Sequence, residues 1–410
     1  MSIPAPTFLA DFAQVRDSLD PRMSFTRATT GSFTDRLGVL KHAPAGAPRW
    51  TWNTASGVAQ GMSLEASATN LALYSEDFSN AAWTKTNASI GSNAVAAPDG
   101  ATTADSITVS AASGSANQAV TITAGNSVSI SVYFKQFTSA YGRIRITDGT
   151  NSVAAWFNIA AGTVGTASAG LTTCVYSAHS MRQLANGWYR CQLTVTTATS
   201  TAFTVHVSCA ASDNTEPANL DSVYAWGVQI EQVTGSTSAA SSYVPTTSAT
   251  VTRNGDVLVV PTSTSWFSAT EGTMLIEWVY RPMRESSAVL GGIGDTFSNT
   301  IYLNRSGSLL YMTVLSGGPE QALMAKTMPA VDGVIARAIM AWKVNDFAFC
   351  LNGGTVSTDT SGAVPVAPVR LGIGNAPYSG SGGTQAGLPI RRVAYWPWRL
   401  ANAALQTLTQ

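Results

Sequence analysis

Residues 70–83, NLALYSEDFSNAAW, decide how we divide this chain of 410 residues. Leu71, Leu73 and Phe78 sit among small polar residues, a pattern typical of a first strand and a tight turn that cap a β-sandwich. A proline-punctuated segment precedes the stretch, and long alternating runs follow it. We therefore predict an irregular, β-containing N-terminal segment over residues 1–69, followed by two all-β domains.

The middle of the chain alternates apolar and polar residues with a period of two. Clear runs lie at 128–135, 143–146 and 153–159, with turn pairs at 148–149, 161–162 and 186–187. Such runs describe antiparallel strands with one buried and one solvated face. We predict an antiparallel jelly roll over residues 70–252, ending in a Ser/Thr-rich linker at residues 236–252 that packs poorly.

A second antiparallel sandwich is predicted over residues 253–410. Its alternating runs include residues 274–281 and 338–351, and Asn352-Gly353 after the second run is typical of a hairpin turn. Residues 401–408 are predicted to form a short helix that packs Leu405 and Leu408 against the sandwich. The glycine-rich residues 291–294 are predicted as a turn between strands. No helix pattern follows them, so they make a poor phosphate cradle.

Composition excludes several classes of partner. The formal net charge is zero and only 11% of residues are charged, which argues against nucleic acid. The 11 Trp, 12 Tyr and 13 Phe argue against a disordered chain. A surface of Ser, Thr, Asn, Gly and Ala, with aromatic residues between, suits neutral ligands such as sugars, and it also suits a rigid extracellular or virion protein. The sequence has no run of eighteen apolar residues, so we expect no membrane insertion, and residues 1–10 lack the pattern of a secretory signal.

The cysteines are predicted to be structural. Cys191 and Cys209 each continue the inward set of a strand, and the absence of a CxxC spacing argues against zinc. A bridge from Cys174 to Cys191, or from Cys191 to Cys209, stays open as the alternative. Reduced thiols indicate assembly in a cytoplasm.

We predict that the protein is not an enzyme and has no cofactor. The E-x-D-x-x-E strand of concanavalin-like glucanases is absent, and no serine lies in a G-x-S-x-G elbow. Glu277 is a lone acid on an apolar strand, for which structural pairing, for example with Arg281, is expected. Asp213, Glu216 and Asp221 surround a loop and are interpreted as solvated charges, with a calcium site as the alternative.

One face of the middle domain is the candidate carbohydrate-binding site. Aromatic rings stack on the C–H faces of sugars, planar polar groups bond hydroxyls, and arginine recognises carboxylates. The residues predicted to share this face are Tyr133, Lys135, Arg143, Arg145, Trp156, Asn158, Gln229 and Glu231. The alternative is that the face packs on a neighbouring subunit or domain. Trp83, Trp188 and Trp226 are assigned to packing, and a second glycan site is predicted in loops at Tyr302, Asn304, Asn375 and Tyr378.

Short phrases in the first 85 residues resemble the N-terminal module of many tailed-phage virion proteins. The matching phrases are residues 22–29 (RMSFTRAT), 38–40 (GVL), 48–50 (PRW), Glu65, 70–78 (NLALYSEDF) and 82–85 (AWTK). Residues 187–196 and 223–231 resemble strands of carbohydrate-binding-module-like jelly rolls in phage proteins, and residues 243–246 resemble their closing phrase. Residues 253–410 resemble the concanavalin A-like or laminin-G-like fold.

The resemblance implies a virion protein, such as a phage tail fibre, head fibre or spike, or the equivalent part of a gene transfer agent. It implies a non-catalytic, lectin-like role in host attachment and receptor binding, with host surface polysaccharide, other virion proteins and further copies of the chain as partners. Residues 1–69 are expected to anchor or oligomerise the protein, and the virion assembled in the host cytoplasm is its expected location. A purely structural decoration or adaptor protein and a capsule or lipopolysaccharide depolymerase are the two alternatives.

Overall fold

A computed structural model of the chain describes residues 3–14, 18–54, 56–171, 173–233, 240–263, 265–282, 287–328, 331–378 and 385–410. These residues are almost entirely antiparallel β, with one α-helix, α1 (Asn402–Thr409), and one 3-10 turn, Ala185–Gly187. None of the helices among them is long and apolar enough to cross a membrane. The all-β prediction is confirmed, as is the short C-terminal helix, which buries Leu405.

The strands fall into three groups along the chain. The N-terminal strands are β1 (Phe8–Asp11), β2 (Ser24–Thr26), β3 (Gly31–Thr34), β4 (Leu40–Ala43), β5 (Trp50–Asn53), β6 (Val58–Leu64) and β7 (Ala68–Asn70). The middle strands are β8 (Thr84–Thr86), β9 (Ala88–Val95), β10 (Ala104–Val109), β11 (Ser115–Thr121), β12 (Ser127–Gln136), β13 (Tyr141–Thr147), β14 (Ser152–Asn158), β15 (Thr163–Ala167), β16 (Gly170–Leu171), β17 (Cys174–Gln183), β18 (Trp188–Thr197), β19 (Ala202–Ala210) and β20 (Ser222–Val233). The C-terminal strands are β21 (Val251–Arg253), β22 (Val257–Pro261), β23 (Glu271–Val279), β24 (Ser287–Thr296), β25 (Asn299–Ser306), β26 (Leu309–Leu315), β27 (Glu320–Thr327), β28 (Ile335–Lys343), β29 (Asp346–Leu351), β30 (Ser357–Asp359), β31 (Arg370–Ile373) and β32 (Leu388–Trp396).

The middle strands form the jelly roll. One sheet has the order β16-β17-β18-β12-β20-β10-β9 and the other the order β15-β14-β13-β19-β11-β8. Alternate residues of each strand meet between the sheets, so that Ile130, Phe134, Ile144 and Val205 are fully buried in one core. The period-two runs predicted strands here because every second residue faces this core.

The C-terminal strands form the second sandwich together with most of the N-terminal strands. One sheet has the order β30-β29-β28-β23-β32-β6-β5, with β1 also paired to β32, and the other has the order β2-β22-β31-β24-β25-β26-β27. Phe8 lies opposite Tyr395, Met62 opposite Ile390, and Phe25 opposite Leu258. The prediction of a separate segment over residues 1–69 is therefore wrong. Strands this short have too little apolar surface for a core of their own and complete that of residues 253–410.

The jelly roll is an insertion in the second sandwich. β7, on the way into the jelly roll, pairs with β21, on the way out, and Ala68 lies opposite Arg253. The two places where the chain crosses between the sandwiches are thus neighbours. They coincide with the sequence boundaries at residues 70 and 252.

Residues 71–83 form turns and contain no strand, which corrects the expectation of a first strand at Leu71 and Leu73. Phe78 and Trp83 are buried, with ring centroids 5.0 Å apart, and Trp83 Nε1 donates to the carbonyl of Tyr74 at 3.0 Å. Asn70 Nδ2 donates to two carbonyls of the jelly roll, at 2.9 and 2.8 Å. The stretch is a turn-rich cap held to the jelly roll by buried rings and one asparagine.

A buried ion cluster lies where the two sandwiches meet. Asp256 accepts from Arg27 Nη1 at 3.0 Å and from Arg49 Nη2 at 2.5 Å, with all three side chains fully buried. Arg49 also pairs with Glu65 at 2.8 Å, and Glu65 in turn accepts from the backbone N–H of Ser242 at 2.9 Å. The cluster therefore ties the N-terminal strands to both sandwiches.

Two local expectations need correction. Residues 240–246, predicted as part of a poorly packed linker, bury Tyr243, Val244 and Thr246 against the jelly roll, and residues 234–239 of that linker lie outside the described residues. The glycine run 291–294 lies inside strand β24 and is not a turn.

The cysteines are free, buried thiols, and burial raises the pKa of Cys174 and Cys209 to about 12.

Candidate functional site

The eight residues predicted to share one sugar-binding face are divided between opposite outer faces of the jelly roll. Those on β12 and β20 are Tyr133, Lys135, Gln229 and Glu231. Those on β13 and β14 are Arg143, Arg145, Trp156 and Asn158. The expectation of a single face is wrong, because β12 and β13 are consecutive along the chain but belong to different sheets.

On β12 and β20, Tyr133, Gln229 and Glu231 are covered by the chain itself, whereas Lys135 is half-buried. Tyr133 is only 2% exposed and packs edge-on against Trp226 and Tyr243, with centroids 5.5 and 5.8 Å away. Glu231 accepts from the backbone N–H of Ser241 at 2.9 Å, and Gln229 Oε1 accepts from that of Val244 at 2.6 Å. Both polar side chains therefore hold residues 241–244 against the sheet. Trp226 is buried, in agreement with its assignment to packing, as are Trp83 and Trp188.

On β13 and β14, Arg143 and Trp156 are covered by the loop after β19, whereas Arg145 and Asn158 are half-buried. Trp156 is 5% exposed and donates from Nε1 to the carbonyl of Thr215 at 2.8 Å. Arg143 lies over the Trp156 ring, 5.1 Å from its centroid, and pairs with Glu216 at 2.6 Å. Asn158 Nδ2 donates to the hydroxyl of Tyr141. These contacts form a closed stack that offers no ring face to a sugar.

The acidic loop shows a separate partner for each carboxylate. Asp213 accepts from Thr166, Glu216 pairs with Arg143, and Asp221 accepts from the N–H of Ala218. Among the described residues, no group of three or more potential metal ligands comes together. The three carboxylates therefore hold the loop through separate contacts within the chain.

The second predicted set contains an open aromatic surface. Tyr302 and Asn304 lie on strand β25, not in loops, and the Tyr302 ring is 6.0 Å from that of Tyr378. Phe297, which the sequence analysis missed, is 61% exposed and lies 5.4 Å from Tyr378. We call Phe297, Tyr302 and Tyr378 the aromatic strip. Asn375 is not part of it, because it is buried and accepts from the backbone N–H of Leu258.

The glycine run of β24 forms the floor beside the strip. Gly292 lies directly opposite Tyr302 in the β24–β25 ladder. A Cβ atom at Gly292 would come within 2.5 Å of Tyr302 Cβ, and one at Gly294 within 2.6 Å of the Thr300 hydroxyl. Glycine inside a strand commonly marks such a close approach. The run is therefore needed to seat Tyr302.

Polar groups border the strip. Asn304 follows Tyr302 on the same strand face and accepts from the Thr313 hydroxyl at 3.3 Å, while its amide nitrogen has no acceptor within the described residues. Burial raises the pKa of Tyr302, and burial together with Tyr302 raises that of Tyr378 to about 12. Both phenols are therefore neutral hydroxyls near pH 7, able to donate and accept hydrogen bonds. The exposed ring of Phe297 and the half-buried rings of Tyr302 and Tyr378, beside an amide and hydroxyls, suit the C–H and O–H faces of a pyranose.

Glu277 is a structural acid. Its two carboxylate oxygens pair with Arg391 at 2.8 Å and Arg337 at 2.7 Å. Burial opposes its ionisation, but these hydrogen bonds outweigh burial and lower the pKa of Glu277. The expected structural pairing is present with different partners, since Arg281 binds Asp332.

No family model and no curated protein matches the chain. Among solved structures, the chain is similar to the Ruminococcus gnavus IT-sialidase CBM40 bound to alpha2,3 sialyllactose, with 14% identity, 35% of this chain and 84% of that chain covered, and a TM-score of 0.31. It is also similar to the CBM22-1-CBM22-2 tandem domain of Paenibacillus barcinonensis Xyn10C, with 10% identity, 81% and 96% covered, and a TM-score of 0.28. A third similarity is to domains LG4-5 of the mouse laminin alpha1 chain, with 9% identity, 70% and 88% covered, and a TM-score of 0.26. The fold described above rests on the strand order of this chain.

Proposed function

We propose that this protein binds carbohydrate without altering it chemically, and that the aromatic strip is the binding surface. The observation that carries the proposal is the group of adjacent rings at Phe297, Tyr302 and Tyr378, bordered by Asn304. A sugar stacked on these rings would bury apolar C–H groups and place its hydroxyls near the amide and the phenols. Six of the eight jelly-roll residues predicted from the sequence are engaged within the chain, and Lys135 and Arg145 alone offer no aromatic ring to a sugar.

We further propose that the protein is a surface fibre or spike of a phage or phage-like particle and attaches it to host polysaccharide. The phage-like phrases at residues 22–29, 48–50 and 70–78 support this setting. A sugar site of this kind binds weakly as a single copy. Several copies on one particle would convert weak binding into high avidity.

The proposal is tested by measuring retention of the purified protein on immobilised bacterial capsular and O-chain polysaccharides, while following polymer size. We expect saturable binding with polymer length unchanged. Tyr302→Ala and Tyr378→Ala are expected to weaken binding about tenfold or more, the loss of about 1.4 kcal/mol of stacking free energy.

Phe137→Ala is the matched control, because Phe137 is an exposed ring stacked on Tyr224, with centroids 4.6 Å apart, in the jelly roll. Its binding should equal that of the unchanged protein. Equal losses in all three variants would refute the strip as the site. Shortened polymer would establish a depolymerase, and failure to bind any of the polysaccharides would favour a structural virion protein.

A further inference from the structure

A cleft of about 350 Å³ separates the jelly roll from the second sandwich. The jelly roll contributes Arg182 and Arg190, the N-terminal strands contribute Phe33 and Trp50, and the loop after β23 contributes Arg281. This volume falls in the range of small-molecule sites, which often lie between domains. The cleft shares no lining residue with the aromatic strip.

The cleft lining carries an excess of positive charge. Among the described residues, the lining holds three arginines and two carboxylates, Glu65 and Asp332. Glu65 is already neutralised from behind by Arg49 at 2.8 Å, and Asp332, 61% exposed, pairs with Arg281 at 2.7 Å. Within the described residues, neither Arg182 nor Arg190 has a carboxylate partner, so the charge of both is available to an anion.

The two uncompensated arginines differ in how firmly they are held. Arg190 donates twice to the Ser131 hydroxyl, at 3.2 and 2.9 Å, and once to the carbonyl of Ser241 at 2.8 Å, and it lies over the Tyr133 ring. Arg182 donates only to the carbonyl of Trp52, at 3.2 Å, among the described residues. A guanidinium has five N–H donors, so Arg182 keeps most of its own free for a ligand.

The remaining lining suits a sugar ring better than a bare ion. Hydroxyl-bearing residues from both sandwiches and the N-terminal strands line the cleft. They are Thr34, Thr51, Ser63 and Ser180, together with Ser32 and Ser242, whose hydroxyls bond Tyr243 and Glu65. Trp50 adds an apolar ring whose Nε1–H is buried and lacks an acceptor in the described part of the chain.

We propose that this cleft binds a carboxylate-bearing saccharide, with Arg182 and Arg190 recognising the carboxylate of a uronic acid residue. Planar guanidinium groups match carboxylates through paired hydrogen bonds, while the hydroxyls and Trp50 contact the sugar ring. The site is separate from the aromatic strip and does not depend on it. It gives the molecule a second, charge-selective subsite.

The test is calorimetric titration of the whole chain with trigalacturonate and, as the uncharged probe of the same backbone, its fully methyl-esterified form. We expect saturable binding of the acid and at least tenfold weaker binding of the ester. Arg182→Gln should weaken binding of the acid about tenfold or more, because a hydrogen bond to a charged group is lost, and leave the melting temperature unchanged.

Three controls decide between recognition and a structural role. Arg182→Lys keeps the positive charge but loses the planar pair of N–H donors that matches a carboxylate, so it should bind the acid with intermediate strength. Arg145→Gln, on the opposite sheet of the jelly roll, should bind trigalacturonate normally, and Tyr302→Ala tests whether the strip takes the acid. Equal binding of acid and ester, no binding of either, or unchanged binding by Arg182→Gln would overturn the proposal. Loss in Tyr302→Ala alone would assign the acid to the strip.

Discussion

Asp256 joins two arginines that arrive from distant parts of the chain. Arg27 is 229 residues away in sequence and Arg49 is 207, yet both bond its carboxylate in a site closed to solvent. The backbone N–H of Glu65 adds a third donor at 2.9 Å. Removing the negative charge would leave the buried guanidinium of Arg27 without its counter-charge, and that of Arg49 with Glu65 alone.

We expect Asp256→Asn to lower the free energy of unfolding by about 3–5 kcal/mol, the typical cost of breaking a buried ion pair from one side. Asp346→Asn is the control, since Asp346 pairs with Arg399 at 2.9 Å but is 48% exposed, and should cost less than about 1 kcal/mol. Urea unfolding followed by tryptophan fluorescence measures both. Equal effects would show that the cluster contributes no more than a surface pair.

The same residues show what the sequence could and could not predict. The sequence motifs that resemble phage proteins include Arg27, Arg49 and Glu65, and these motifs can be recognised from the sequence alone. Their shared partner, Asp256, lies outside every phrase. A contact between residues more than 200 positions apart depends on how the two sandwiches finally pack. The local alternation of apolar and polar residues does not predict that packing.

Among the elements, β6 contains one glycine, Gly61, that allows the strand to pack closely enough to pair with β32. Gly61 has a φ of 125°, and a Cβ atom there would lie 2.3 Å from the carbonyl oxygen of Ile390 in β32. The close approach allows β6 to pair with β32, with Met62 opposite Ile390. Strands β5 and β6 therefore join the second sandwich through a position that excludes any side chain.

Gly61→Ala is expected to reduce the free energy of unfolding by more than about 1 kcal/mol, because both the positive φ and the clash oppose alanine. Gly46→Ala is the matched control, with a φ of 72° and open space around its Cβ position. Thermal unfolding of the two variants separates the clash from the backbone strain. A smaller loss for Gly61→Ala than for Gly46→Ala would contradict the role given to this contact.

Strand positions were predictable where an alternating run faced one core, as at β12, β13, β14 and β23. The glycine run of β24 was misread because glycine usually weakens a strand, and its use here depends on Tyr302 in the next strand. The site was misassigned for a related reason. Alternation shows which residues point away from a core, but not which sheet a strand joins or what covers its outer face.

At the scale of the molecule, the insertion predicts which pieces fold alone. Residues 66–254 contain both sheets of the jelly roll, while residues 255–410 lack β1, β2 and β6 of the second sandwich. We expect the first fragment to be soluble and to unfold cooperatively, and the second to aggregate, since Tyr395 and Leu258 lose their partner strands. Soluble yield and circular dichroism measure both outcomes.

The matched deletion variant joins residues 1–65 directly to residues 255–410 through a short glycine linker. The paired positions Ala68 and Arg253 place the two cut ends side by side, so the linker can be short. This variant should fold without the jelly roll. If it aggregates while residues 255–410 fold alone, the assignment of the N-terminal strands to the second sandwich fails.

The neighbouring crossings at β7 and β21 also have a mechanical consequence. A pull that separates the jelly roll from the second sandwich loads two covalent segments side by side, and each carries a share of the force. Domains strung in series on one linker place the whole tension on a single segment. A protein attached to a surface through one sandwich and to a particle through the other would therefore resist shear with a doubled tether, and cleavage of one crossing would still leave the two halves joined.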